Sequence, residues 1–198
     1  MARTELMFAG ATASLLFLAS PASAHLVSTG LGPVYDSVTH FLSSPEYVAP
    51  LLGLALLAGL RGAAHGRWAL FAVTGACLVG AAWGTGPTPG LVTTLLTAGT
   101  CLVLGALVGA DARIPLALTV TLAAAVGFLE GAMDVVAQGN ALTTPAMLGV
   151  CAPVFVLSAL IASLIVPLRT LWLRVAVRVA GSWLAALGLL LVGWALRR

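Results

Sequence analysis

The chain has 198 residues, 61% hydrophobic and only 8% charged, with a mean hydropathy of +1.11. A soluble domain carries about 25% charged residues, so this chain cannot clothe itself in a water-facing surface and reads as one all-α domain of stacked membrane helices. Its net charge of +3 comes wholly from arginine, placed in loops and at the ends of apolar runs; that suits topology signals and excludes a basic, aromatic-interleaved nucleic-acid surface.

Residues 1–24 have the parts of a secretory signal: Arg3, an apolar run from Leu6 to Leu18, and the A-x-A-like Ala22-Ser23-Ala24. Cleavage there leaves residues 25–198 as the mature domain, with His25 first and outside the membrane. Gly30 to Pro33 is a turn, and Val34 to Leu42 suits a short helix. Ser43-Ser44-Pro45-Glu46 then starts another, with Ser44 as N-cap, Pro45 at the first helical position and Glu46 at the positive end of the dipole. The run from Tyr47 to Leu60 is short for a bilayer and contains Pro50, so the first span is expected to be broken.

Arg61, His65 and Arg67 mark an inner loop. Spans follow over about Trp68–Trp83, Leu91–Ala110, Ile114–Val136, Pro145–Val166 and Val175–Leu196. The result is a polytopic transmembrane bundle of about six helices after the signal peptide. Gly84 to Gly90 and Gln138 to Thr144 form outer loops, whereas Asp111, Arg113, Arg169, Arg174 and Arg178 lie inside. Both mature termini are expected outside, although Arg197-Arg198 runs against the positive-inside rule there.

This topology sorts the charges. Asp36, Glu46, Glu130 and Asp134 gather with His25 and His40 near one face, while six of the nine arginines map to the other. Ionisable groups at a membrane boundary cost free energy unless paired, hydrated or used, so the acidic set is a candidate site. Asp36 and His40 share a helix face at i, i+4, a spacing that suits either an O,N pair for one divalent ion or a hydrogen-bonded pair. Glu130 and Asp134 repeat the spacing; two carboxylates on an apolar helix repel unless a cation, a proton or water absorbs the charge. His25 at a free N-terminus could chelate through amine and ring, or remain a solvated end. The candidate metal ligands are therefore Asp36, His40, Glu130, Asp134, His25 and Glu46.

Cys77, Cys101 and Cys151 lie inside apolar runs with no C-x-x-C spacing and read as buried structural thiols. Gly127 and Gly131 form a G-x-x-x-G, first explained by helix packing and able to bring two copies together. No nucleophile elbow, phosphate loop, dinucleotide fingerprint or zinc-protease motif is present, no histidine is placed for haem, and neither an enzyme nor a tightly bound cofactor is expected.

His25, Gly30-x-Gly32-Pro33-x-Tyr35-Asp36-x3-His40, Pro45-Glu46 and the Leu/Ala-rich run to Leu60-Arg61-Gly62 together resemble the HupE/UreJ family. The motif likeness covers mainly residues 25–67 and 127–134. It implies a multi-pass protein of the bacterial cytoplasmic membrane that takes up nickel or cobalt. The chain departs from the family by lacking an H-P motif and an adjacent Asp-His, and by carrying Glu130 and Asp134 where a histidine-rich stretch is usual. Carboxylates harden such a site and bring Mn²⁺, Fe²⁺ or a proton into range. The expected function is secondary uptake of a divalent transition-metal ion, Ni²⁺ or Co²⁺ first, between the broken first span and the fourth. The alternative is a non-transporting accessory or assembly subunit of a metalloenzyme or membrane complex.

Overall fold

The computed structural model describes residues 30–83, 86, 90–137, 144–168 and 170–197. The expected signal peptide and His25 lie outside the described residues, as do most of both outer loops, Arg169 and Arg198. The described residues form seven helices and no strand: α1 Pro33–Ser43, α2 Pro45–Arg61, α3 Ala63–Trp83, α4 Leu91–Gly109, α5 Leu116–Ala137, α6 Thr144–Ile165 and α7 Leu171–Ala195. This is the all-α bundle expected of so apolar a chain. Five helices, α3 to α7, are long and apolar enough to cross a membrane, and α1 with α2 makes a pair bent by 74°.

The bend follows from local sterics. Pro45 crowds the residue before it out of the helical region, and Ser44 sits at φ −103°, ψ 98°. The expected N-cap is not made by its side chain: the Ser44 hydroxyl forms no capping hydrogen bond and is buried without a partner among the described residues. Between α2 and α3 the connection shrinks to Gly62 at φ 107°, a conformation that glycine alone adopts cheaply. The expected inner loop of Arg61, His65 and Arg67 is thus mostly helix, because arginine extends a helix well and its long stem lets the charge reach the boundary. For the same reason α7 begins at Leu171, ahead of Arg174 and Arg178.

Helix α2 is the central element, touching α3 to α7. On one side α3 packs along α5. A β-carbon at Gly127 would lie 2.1 Å from the Val73 carbonyl oxygen, and one at Gly131 2.2 Å from that of Cys77, so only glycine permits this approach. The pairs Val73–Gly127 and Cys77–Gly131 advance together, so α3 and α5 run parallel. The two glycines of the G-x-x-x-G are therefore filled by α3 of the same chain. On the other side α4 packs on α7 through Gly105, Gly181 and Gly188. The outer faces carry exposed Trp68, Phe71, Trp83, Trp172, Trp183, Leu190 and Trp194, apolar surface that a lipid bilayer covers. The chain is a multi-pass membrane protein.

The charges separate to opposite ends of the bundle. At one end Arg61 Nη2 of α2 donates to Asp111 Oδ1 in the α4–α5 turn, and Arg174 Nη2 of α7 lies 3.3 Å from Asp111 Oδ2. Arg178 Nε donates to the Gly109 carbonyl at 3.0 Å. Glu130 and Asp134 lie towards the far end of α5, and Tyr47 at the start of α2 lies beside His40. Helix α2 accordingly runs from the acidic end to the arginine end. Its 17 residues give it a length of about 25 Å.

Candidate functional site at the acidic end

Helix α1 cannot span anything; it lies against α6, where Gly149 admits the Val34 backbone and Ser37. Docking there brings His40, in the last turn of α1, to α5: His40 Nε2 lies 3.7 Å from Asp134 Oδ1. The two residues are 94 positions apart in sequence. The His40 side chain is 16% exposed and that of Asp134 0%.

Glu130, one turn earlier on α5, is 2% exposed, and its Oε2 has no hydrogen-bond partner among the described residues. An ionisable group inside a transmembrane helix is costly unless it is paired, and for Asp134 the neighbouring His40 imidazole offsets part of that cost. The expectation that Glu130 and Asp134 sit on a packed helix face is met; neither stands in water beyond the bundle.

Tyr47 closes the site from α2. Its buried ring stacks on Phe41 at 5.9 Å and lies tilted to His40 at the same centroid distance. Asp134, Glu130 and Glu46 are the carboxylates that act electrostatically on it. Glu46 itself is exposed in the first turn of α2, a rim position from which it also acts on Glu130. Asp36 lies one turn before His40 on α1 and is half-buried. Of the six candidate ligands the structure brings His40 to Asp134, with Glu130 one turn away on α5, Glu46 exposed at the start of α2 and Asp36 one turn from His40 on α1. Among the described residues, no three His, Cys, Asp or Glu side chains converge tightly enough to hold a metal ion.

Pro50 inside α2 has no N–H for the Glu46 carbonyl, and Pro153 inside α6 has none for that of Gly149. Both prolines therefore leave backbone oxygens near the acidic end, a device that suits cation passage through broken helices.

Two of the cysteines read from the sequence as buried thiols meet beside this site. Cys77 of α3 and Cys151 of α6 are buried with their sulfurs 3.7 Å apart, both unoxidised. Cys77 packs beside Gly131, hence next to Glu130. No spacing signal links residues 74 positions apart; only the packing of α3 on α6 reveals the pair.

No family model matches the chain, and neither a curated protein nor a solved structure matches it.

Proposed function

We propose that the protein is a secondary permease that takes up a divalent transition-metal cation, with Ni²⁺ or Co²⁺ as the favoured cargo. It would work in the bacterial cytoplasmic membrane with its acidic end outside. One observation carries the reading: Glu130 and Asp134 are buried on one face of a membrane helix, and a histidine from a separate, bent helix is docked onto them. Anionic groups so enclosed favour a positive guest, and an imidazole beside carboxylates suits a borderline divalent ion.

In this reading Glu46 and Asp36 raise the local cation concentration at the mouth. His40 and Asp134 make the first inner contact, and Glu130 draws the ion below the surface. The membrane potential would drive the cation inward, at about 2.3 kcal/mol per charge per 100 mV. The resemblance to HupE/UreJ proteins points the same way.

The test is uptake of radiolabelled Ni²⁺ and Co²⁺ by cells expressing wild type, Glu130→Gln, Asp134→Asn or Asp36→Asn at matched membrane levels. Accumulation by wild type should exceed that of vector-only cells, fall to vector level in the two α5 variants, and fall partly in Asp36→Asn. Equal accumulation in all four strains would remove the proposal and favour an accessory subunit.

A further inference from the structure

Three contacts define the height of each residue along the bundle. His65 Nδ1 meets Thr119 Oγ1 at 2.8 Å, Gly127 packs on Val73 and Gly131 on Cys77, every pair 54 positions apart. Helix α6 runs the opposite way along α3, with Cys151 on Cys77 and Ala162 near Gly66. The Cys77–Cys151 pair is therefore level with the Glu130–Gly131 step of α5, directly below the His40–Asp134 contact. Thr74 lies about 4.5 Å further along α3, and Ser158 about 10.5 Å further along α6. Ser158 shares the stripe of α6 that carries Cys151 and Ala162, as Thr74 shares the stripe of α3 that carries Cys77 and Gly66. The Thr74 and Ser158 hydroxyl oxygens are buried with no hydrogen-bond partner among the described residues, as is Glu130 Oε2. Thr100 and Thr121, by contrast, bond back to the carbonyl four residues earlier. Among the described residues, unsatisfied polar atoms thus recur on α3 and α6 from the level of Glu130 towards His65 of α3 near the arginine end.

From this arrangement we infer that Cys77 and Cys151 form a two-thiolate binding site for a thiophilic divalent cation, at the point where the cargo leaves the carboxylates for the α3–α6 seam. Metal–thiolate bonds of about 2.3 Å at a tetrahedral angle put two sulfurs about 3.8 Å apart, which the 3.7 Å separation matches. Each sulfur gives its S–H proton to the medium as its bond to the metal forms. A structural zinc centre closes with four ligands, whereas here two thiols stand without a third ligand among the described residues. The site is accordingly transient, and it adds a soft filter behind a hard entrance: Mg²⁺ and Ca²⁺ gain nothing from sulfur, and ions from Co²⁺ to Zn²⁺ do. The inference takes its cargo from the uptake reading, but binding at the thiols can be measured without transport.

The experiment titrates Co²⁺ into the purified full-length protein in detergent and follows the thiolate-to-cobalt charge-transfer absorption. Wild type and Cys101→Ser should develop the band; Cys77→Ser, Cys151→Ser and the corresponding alanine variants should not, while eluting as the same monodisperse species. Excess Mg²⁺ should leave the band unchanged. A band that survives both Cys77 and Cys151 substitutions, follows Cys101, or never forms in wild type overturns the thiol site. A thiol-dependent band in a protein that accumulates no metal in cells sinks the uptake reading and leaves this site standing. Uptake that is unaffected by either cysteine substitution, with no band, does the reverse.

Discussion

Glu130 concentrates the conflict between stability and use. The residue is 2% exposed and one carboxyl oxygen lacks a partner among the described residues, which costs about 1–3 kcal/mol for a buried polar group and more for a charged one. Glu130→Met keeps the length of the side chain and removes the unsatisfied oxygen. It should raise the thermal midpoint of the purified protein, by about 1–2 kcal/mol in stability, and abolish metal uptake. A lower midpoint would show that the carboxyl is satisfied and structural, against the transport reading. That Glu130 and Asp134 belong together was legible in their four-residue spacing on an apolar run. Their partner was not: His40 reaches Asp134 only because α1 folds back on α6, and the sequence ties His40 more obviously to Asp36. That Cys77 and Cys151 are buried was legible from their apolar runs; that their sulfurs meet was not, since an apolar setting describes a thiol pair in a helix seam as well as it describes two isolated core cysteines.

Helix α1 is the element whose placement matters most to the site. It is too short to cross, its bend from α2 is set by the Ser44-Pro45 step, and its seat on α6 depends on Gly149, where a β-carbon would lie 2.6 Å from the Val34 carbonyl oxygen. Gly149→Leu should therefore displace α1, carry His40 away from Asp134 and reduce uptake to vector level. The α3–α5 and α4–α7 pairs do not pass through Gly149, so the body should remain folded, with a loss of about 1–3 kcal/mol from local overpacking. Unchanged uptake would show that the site does not need α1. The break itself could be read from proline chemistry, as could the order of the apolar helices. Their starts could not: hydropathy alone trims α3 to Trp68 and α7 to Val175, because it counts His65, Arg67 and Arg174 as loop although the backbone there is helical.

The bundle as a whole is organised by where its charges end up. Acidic groups and His40 occupy one end. At the other, Asp111 accepts from Arg61 at the close of α2 and from Arg174 at the opening of α7, so one side chain ties the central helix to the α4–α7 pair. The turn that presents it is also specific, with Asp111 at φ 49°, a left-handed conformation that aspartate and asparagine tolerate better than most residues. Charge and backbone contributions can be separated by substitution. Asp111→Asn keeps a residue suited to that backbone but removes the anion, leaving Arg61, whose side chain is 8% exposed, without its counter-charge. It should lower stability by about 1–2 kcal/mol, discounted from the value for fully buried pairs because Asp111 is 29% exposed. Asp111→Ala should cost about 1 kcal/mol more, since alanine adds the strain of a left-handed residue. Melting of the three proteins at low and high salt is the check: the deficit of Asp111→Asn should shrink as salt screens the pairs in wild type, and the further deficit of Asp111→Ala should not. If Asp111→Asn melts with wild type at low salt, the arginine clamp does not hold the bundle together, and packing through Gly105, Gly181 and Gly188 must suffice to keep α7 in place.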